Sequence, residues 1–274
     1  GVHGHEFSGV ITEVGEGVMG YAPGDAVTAE HTYYTCGRCE YCRTGRYQLC
    51  AGRKSLGFEI QGAFAEYVVT DPLYVHKLPG GFDLKKAALT EPLACILHAI
   101  RLIEVKPAQP VLVVGPGPMG LLCAMTLKAF GCSVDIMGAP QDGERLERAA
   151  KAGIHVVNGD AVEEKSYPVV AECSGSAGGI RFAIRALKKG GTLLQVGIAT
   201  GDVPLPYDQL VFKELKIQGT FCHTWPDWDQ ALKMQQAGLL DISPVITDVV
   251  SIDGWKDAFE SLIEKKGMKT LFAF

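Results

Sequence analysis

The segment that begins at Pro110 joins an apolar run to three closely spaced glycines and then to a helical pattern. The run PVLVVG predicts a buried strand, and MGLLCAMTLKAFG predicts a helix that ends at Gly131. Between them, GPGPMG lets the backbone turn tightly and approach a pyrophosphate at the helix N-terminus. We therefore predict dinucleotide binding here rather than a tight turn alone. The predicted cofactor-binding residues of this turn are Gly115, Gly117, Pro118, Met119 and Gly120.

Strand and helix patterns alternate from Glu91 onwards, as a doubly wound parallel sheet requires. From about Phe7 to His76, short β-rich runs separated by glycine turns predict a β-barrel or sandwich instead. A chain of 274 residues has room for both units. We predict an α/β protein with a β-barrel domain over residues 1–90 and 224–274 and a Rossmann domain over residues 91–223.

The end of the second predicted strand of the Rossmann domain lacks the acidic residue that commonly holds the ribose hydroxyls. Gly138 stands at that position, and Asp142 follows close enough to bend back towards the ribose. Arg145 is instead suited to meet a 2′-phosphate, or it is a surface residue of the following helix. The sequence leaves the choice between NAD and NADP open.

Four cysteines lie within fifteen residues and share the spacing C-x2-C-x2-C-x7-C. Four thiolates at this spacing converge readily on one tetrahedral zinc ion, whereas two disulfides among such close cysteines are geometrically awkward. A site with four protein ligands has no open position for substrate, so we predict a structural zinc. The ligands are Cys36, Cys39, Cys42 and Cys50.

Charge and composition limit the partners of the chain. A nucleic-acid-binding zinc ribbon is disfavoured because 31 acidic residues outnumber 26 basic ones. The long uncharged run at 110–127 is interrupted by glycines and prolines, which excludes a membrane span, and no secretory signal pattern precedes it. Nine cysteines without such a signal indicate reduced thiols, and we expect a cytoplasmic protein with a small-molecule partner.

Three further residues become candidates for a second metal site. His5 and Glu6 are adjacent in GHEFSGVITEVG, and in an extended segment their side chains point to opposite faces. Glu91 precedes Pro92 at the start of a predicted helix, where a glutamate also favours the helix dipole without any other role. His98, on the same helix, is interpreted as a packed core histidine.

In this order, GHEFSGVITEVG, the four-cysteine loop, TEPLACILHA, GPGPMG, ECSG and KKGGTLLQVG resemble the zinc-dependent medium-chain dehydrogenases over nearly the whole chain. The resemblance is closest to the branch of sorbitol, other polyol and threonine dehydrogenases. It implies a GroES-like barrel, a structural zinc on the cysteine loop and a catalytic zinc bound by His5. Glu91 would bind that zinc directly or through water, with Glu6 beside it.

The family's further zinc ligand is a cysteine upstream of the Gly-His-Glu motif, and none of the nine cysteines matches it. We expect this ligand in an N-terminal extension. The implied reaction is hydride transfer between NAD(P) and a secondary alcohol or its ketone, with zinc as Lewis acid. At the carboxyl ends of later strands, the residues expected near the nicotinamide are Cys173, Ser174, Val196, Gly197 and Ile198.

Two other functions remain open at this point. A catalytically silent cofactor-binding relative is favoured by the unmatched cysteine, and a zinc-independent carbonyl or quinone reductase is disfavoured by the set of His5, Glu6 and Glu91. For any of the three we expect a homodimer or homotetramer.

Overall fold

Short strands and turns make up the first third of the chain. The structure is a computed structural model that describes residues 1–159, 162 and 167–274. The elements of this first third are β1 (Ser8–Val10), β2 (Ala26–Ala29), β3 (Thr32–Tyr34), α1 (Glu40–Arg43), β4 (Lys54–Ser55), β5 (Val75–Lys77), α2 (Leu84–Ala87) and α3 (Thr90–Arg101). β2 pairs antiparallel with β1 and β5, and β3 pairs antiparallel with β4.

Strands and helices alternate in the rest of the chain. The elements are β6 (Pro110–Val114), α4 (Pro118–Ala129), β7 (Ser133–Met137), α5 (Gly143–Lys151), β8 (His155–Val156), β9 (Tyr167–Glu172), α6 (Ala177–Ala186), β10 (Leu187–Gln195), α7 (Tyr207–Phe212), β11 (Lys216–Gly219), α8 (Trp225–Gln236), β12 (Ile246–Ser251), α9 (Trp255–Ile263) and β13 (Lys269–Ala273). This alternation follows the predicted βα pattern.

Six parallel strands form one sheet in the order β11-β10-β9-β6-β7-β8. The first strand of this sheet along the chain is β6, which lies in the middle of the sheet. The next two strands, β7 and β8, extend the sheet to one edge, and the strands from β9 to β11 then extend it to the other edge. This is the doubly wound order with its switch point between β6 and β9, where ligands bind at the carboxyl ends of the strands. The α/β fold predicted from the sequence is confirmed.

The largest core cluster joins α3, α4 and α8 to one face of the sheet. Leu93, Leu121 and Trp228, one from each helix, are all fully buried in it. Burying side chains of this size contributes about 1.5–3 kcal/mol each, which fixes α8 against α3 although the two helices are distant in sequence. α6 packs on the opposite face through Ile180 and Ile184.

One segment differs in detail from the sequence-based expectation. The run AFAEYVVTD was expected to be β-rich, but residues 63–71 have no ladder partner among the described residues. Residues 63–70 instead line a cavity of about 1330 Å³. β13 pairs in parallel with β12, and its Lys269 bonds Glu6 near the start of the chain, within the same predicted domain. The domain limits at residues 90/91 and 223/224 stay a prediction, since α8 packs on α3 across the second limit.

Within the described residues, no helix is both long and apolar enough to cross a membrane. The uncharged run that includes Pro110–Val114 divides into a strand, a turn and the helix α4, as the prolines and glycines in it predict.

Candidate active site and metal centres

The four cysteines of residues 36–50, which we call the cysteine loop, converge in the structure. All four sulfurs lie within 4.8 Å of one another, and the Sγ of Cys42 is 3.5 Å from that of Cys39 and 3.9 Å from that of Cys36. A tetrahedral site with Zn–S bonds of about 2.3 Å requires sulfurs about 3.8 Å apart. The donors therefore already have the spacing of a zinc site, and no pair of them is bonded as a disulfide.

Local backbone geometry holds the sulfurs of the cysteine loop. The N–H group of Cys39 donates to Cys36 Sγ at 3.4 Å, and the N–H group of Cys36 points at Cys50 Sγ at 3.5 Å. Backbone donors from Arg38 and Cys39 lower the pKa of Cys36 to about 6, whereas burial and neighbouring thiols raise the pKa of Cys42 to about 11. A cation bound among the four sulfurs would favour the thiolate at both residues.

The glycines of GPGPMG are required by close contacts. Gly115 has φ +101°, and a Cβ atom at Gly120 would lie 1.8 Å from the carbonyl oxygen of Gly115. A Cβ at Gly117 would instead meet only Arg145 Nη1, at 3.9 Å. The motif thus packs α4 tightly on the turn while leaving open space over Gly117, the helix N-cap followed by Pro118 and Met119. This is the arrangement that accommodates a pyrophosphate.

Glu172 joins the ends of β9 and β10. Its side chain is fully buried and accepts hydrogen bonds from the N–H group of Ser174 at 2.9 Å and from Gln195 Nε2 at 2.7 Å. Its backbone oxygen accepts from the N–H groups of Val196 and Gly197, both at 2.9 Å. The two predicted nicotinamide segments, which include Cys173 and the exposed Ile198, therefore lie side by side at the carboxyl ends of β9 and β10, next to the switch point of the sheet.

The residues considered for the ribose are already engaged. A Cβ at Gly138 would lie 2.7 Å from the ring of Pro116, so a larger residue does not fit without movement. Asp142 accepts a hydrogen bond from the N–H group of Ala139 at 2.9 Å, and Arg145 Nε donates to the Gly267 carbonyl at 3.1 Å. The roles of Asp142 and Arg145 towards the cofactor stay predictions.

Donor atoms of His5, Glu6 and Glu91 lie within 4.8 Å of one another, and we call this set the Glu91 cluster. His5 and Glu6 lie shortly before β1, whereas Glu91 lies in the first turn of α3 and is 5% exposed. Glu6 is paired with Lys269, whose Nζ is 2.6 Å from Glu6 Oε2. The structure thus brings Glu91 to the adjacent pair His5 and Glu6, which precede it by 85 positions or more.

A second group of donors, which sequence reasoning missed, surrounds Glu91. We call His31, Cys222 and His223 the histidine–cysteine site, since their donor atoms also lie within 4.8 Å of one another. Glu91 Oε1 is 3.2 Å from His31 Nδ1 and 3.5 Å from His223 Nε2. Two features could have indicated this site. Each residue lies shortly after a strand, and Cys222 and His223 are adjacent in the segment that follows β11.

The pKa values of the ionisable residues around Glu91 are set by burial and by the contacts of these residues with one another. Burial favours the neutral acid, yet His223 and His31 hold the pKa of Glu91 well below its ordinary value. Burial likewise opposes a charged His223, but Cys222 and Glu91 raise its pKa well above the ordinary value. Burial lowers the pKa of His5, although Glu91 opposes this effect. The lowered pKa favours the neutral ring, which is the form that donates a lone pair to a metal.

The backbone at Cys222 is unusual for a residue with a side chain. Its φ is +58°, a left-handed conformation that costs about 1–3 kcal/mol and that clusters at functional sites. The pKa of Cys222 lies well below its ordinary value because the Cys95 thiol bonds to it and His223 adds to this effect. The Cys95 thiol also donates to Glu91 Oε1 at 3.4 Å. Both cysteines therefore make polar contacts beside Glu91.

Buried hydrogen bonds next to the histidine–cysteine site hold the surrounding helices and strands in place. Asp227 accepts from Arg101 Nε at 2.8 Å and lies 2.9 Å from His98 Nδ1, so His98 is a buried structural residue as expected. Glu30 is fully buried, accepts from the Tyr47 hydroxyl at 2.7 Å and lies 3.2 Å from His76 Nε2. These bonds fix α8 on α3 and hold the end of β2 in place.

Comparison with known proteins agrees with this architecture. Residues 1–80 match the model of the alcohol dehydrogenase GroES-like domain, and residues 118–237 match that of the zinc-binding dehydrogenase domain. The chain is 37% identical to a sorbitol dehydrogenase of Halalkalibacterium halodurans, covering 98% of this chain and 82% of the relative. It is 32% identical to a D-arabitol-phosphate dehydrogenase of Enterococcus avium, covering 98% and 80%.

A solved structure is also similar. It is a putative zinc-binding dehydrogenase from Sinorhizobium meliloti bound to NADP, with a TM-score of 0.87 and 27% identity over 97% of this chain and 80% of that one. The chain therefore belongs to the zinc-dependent medium-chain dehydrogenases, with a GroES-like domain and a Rossmann domain. Zinc and NAD(P), predicted as its cofactors, are confirmed.

Proposed function

We propose that this chain transfers hydride between NAD(P) and a secondary alcohol of the polyol or sugar-alcohol class, or the corresponding ketone. The observation that carries the proposal is the convergence of His5, Glu6 and Glu91 in a chain whose other domain has a dinucleotide-binding turn. The substrate class is supported by relatives that are named for sorbitol and D-arabitol phosphate.

His5 and Glu91 are the residues that we assign to a catalytic zinc. When bound, the ion supplies a Lewis acid that favours the alkoxide of an alcohol or polarises a carbonyl. The neutral ring of His5 and the ionised carboxylate of Glu91 are the forms that bind metals. Because Glu6 is paired with Lys269, its carboxylate is held beside the other two donors with its charge offset.

The cofactor is assigned to the carboxyl edge of the parallel sheet. The open space over Gly117 suits the pyrophosphate, and the exposed end of β10 at Gly197 and Ile198 suits the nicotinamide. Ser174 is held by Glu172, so the walls of this second region are rigid before any cofactor arrives. Rigid walls favour hydride transfer because they position the nicotinamide without further loss of entropy.

The test combines cofactor binding with turnover. Calorimetric titration with NAD⁺ and NADP⁺ measures binding and choice, and reduced nicotinamide absorbance measures oxidation of sorbitol, xylitol, arabitol and their phosphates. Glu91→Gln and His5→Ala should each lower kcat/KM more than about 100-fold, since a direct ligand matters more than its supporting partners. Glu16→Gln, which changes an exposed glutamate outside the Glu91 cluster, should leave kcat/KM unchanged.

Two results would contradict the proposal. Cofactor binding without oxidation of any polyol would favour the silent relative. Carbonyl reduction that survives both Glu91→Gln and His5→Ala would favour the zinc-independent reductase.

Assembly as a homodimer or homotetramer in the cytoplasm is part of the proposal. Its support is an apolar surface at the outer edge of the sheet, where Val211, Phe212 and Ile217 are 66%, 75% and 47% exposed. Light scattering during gel filtration tests the assembly, and a monomer at micromolar concentration would contradict it. Fractionation of cells tests the location.

A further inference from the structure

The histidine–cysteine site has the composition of a metal site. We propose that His31, Cys222 and His223 bind a divalent transition-metal ion of the zinc type, in addition to the ions of the cysteine loop and the Glu91 cluster. One thiol and two imidazoles form a donor set that zinc uses, with a fourth position left for water or another ligand. Neither the sequence motifs nor the comparisons assign these three residues to a metal.

The spacing of the donors fits such an ion without rearrangement of the fold. Cys222 Sγ lies 3.7 Å from His31 Nε2. Tetrahedral bonds of about 2.0 Å to nitrogen and about 2.3 Å to sulfur place these two atoms about 3.6 Å apart. The donor of His223 also lies within 4.8 Å of both.

His223 provides an independent indication. It is fully buried, and among the described residues neither of its ring nitrogens has a hydrogen-bond partner. Its nearest carboxylates, Glu91 Oε1 at 3.5 Å and Glu30 Oε2 at 3.6 Å, are too far or too poorly aligned. Buried polar groups are almost always satisfied, and an ion bound to one of the nitrogens would account for this exception.

Arg53 occupies the position between two of the donors. Its Nη2 is in close contact with His31 Nε2 and lies 3.4 Å from Cys222 Sγ, while its Nε donates to Thr32 Oγ1 at 3.2 Å. The guanidinium thus places positive charge where the ion would bind, so it competes with the ion. Because Arg53 is only partly buried, its side chain can move outwards when the ion binds.

Cys95 is the other cysteine near these donors, and it forms a group with Glu91 and His223. We assign it no metal, because its thiol donates to Glu91 Oε1 at 3.4 Å and is engaged there.

Cobalt titration of the whole chain tests the proposal, since Co²⁺ replaces zinc and gives a thiolate charge-transfer band. We use a background in which Cys36, Cys39, Cys42 and Cys50 are all replaced by serine, so that the cysteine loop contributes no thiolate. Cys222→Ser should abolish the remaining thiolate band, and His223→Asn should lower cobalt affinity more than about tenfold. Cys132→Ser, at a buried cysteine of another region, is the matched control and should keep the band.

Two further variants distinguish loss of the proposed ion from loss of folding and from loss of the ion at the Glu91 cluster. Arg53→Gln should raise cobalt affinity more than about tenfold because it removes a competing charge. His5→Ala should keep the thiolate band. The proposal is overturned if Cys222→Ser retains the band, if Arg53→Gln does not tighten binding, or if His5→Ala removes the band. None of these readings uses substrate or NAD(P), so they are independent of the proposed dehydrogenase activity.

Discussion

The cysteine loop and the histidine–cysteine site both gather metal donors, but they are built in opposite ways. The loop takes its sulfurs from fifteen consecutive residues, and turns such as the one at Gly37, with φ +66°, bring them together. The histidine–cysteine site takes His31 from the end of β2 and its other two residues from the end of β11, almost two hundred positions later. Spacing along the chain predicts the first kind of site, whereas only packing produces the second.

The two sites also differ in exposure. Cys36, Cys39 and Cys42 are partly exposed, so the cysteine loop is accessible to solvent and depends on its ion for order. His223 is fully buried beside Glu30 and Glu91, so its surroundings depend on the core around α3 and α8. We therefore expect perturbations of the loop to act through metal content and perturbations of the buried site to act through stability.

Removal of a loop ligand should give the largest effect. We expect Cys39→Ser to lose about one equivalent of zinc per chain and to increase proteolytic cleavage within residues 36–50, because metal binding and loop order are coupled. Elemental analysis and limited proteolysis measure the two effects. Cys132→Ser should keep the wild-type zinc content, and an unchanged zinc content in Cys39→Ser would show that the loop is not a metal site.

Asp227→Asn should give the next largest effect, by loosening α8 on α3. Losing a buried carboxylate that pairs with Arg101 should lower the free energy of unfolding by about 3 kcal/mol, measured by denaturant titration. Zinc on the cysteine loop should stay in place. A change below about 1 kcal/mol would mean that this contact does not hold the helices together.

The same variant should change the dependence of stability on pH. Burial opposes ionisation of Asp227, but His98, Arg101 and Thr224 hold its pKa well below the ordinary value. Its stabilising contribution is therefore complete above the unfolded pKa of about 4 and is lost as pH falls towards the folded pKa. Between about pH 4 and pH 2, Asp227→Asn should lose less stability than the wild type does.

A pair of glycine variants compares a close contact with open space. Gly120→Ala should lower stability by about 1–3 kcal/mol, because its Cβ would lie 1.8 Å from the Gly115 carbonyl oxygen. Gly117→Ala meets nothing closer than 3.9 Å and should unfold like the wild type, yet bind NAD(P) more weakly. Equal stability of the two variants would contradict the close packing of α4 on the turn.

The smallest effect is expected at the exposed pair of the cysteine loop. Arg46 Nη2 lies 2.9 Å from Glu40 Oε1, and both side chains are about half exposed or more. Solvent and salt screen such a pair, so Glu40→Gln should change the free energy of unfolding by less than about 0.5 kcal/mol. A loss above about 1 kcal/mol would show that the pair helps to hold the loop and its ion.

Much of the fold could be predicted because its signals are local. The repeated alternation of apolar strand patterns and helix patterns, seen first on the two sides of Gly115, indicates a doubly wound sheet. It can be recognised because apolar residues recur at different spacings in buried strands and in helices. The strand expected over residues 63–71 did not form a ladder, because a strand exists only when another strand pairs with it. The preference of residues 63–71 for extended structure does not by itself supply a partner strand.

By itself, the sequence determined the parts whose geometry is completed within a few residues. The spacing of the four cysteines defines a tetrahedral site, and the three glycines permit the contact between α4 and the carbonyl of Gly115. Tertiary structure alone decided that His31, Cys222 and His223 meet beside Glu91. Those side chains come from the ends of two strands and the start of a helix, and only packing of the apolar faces of α3 and α8 on the sheet brings these ends together.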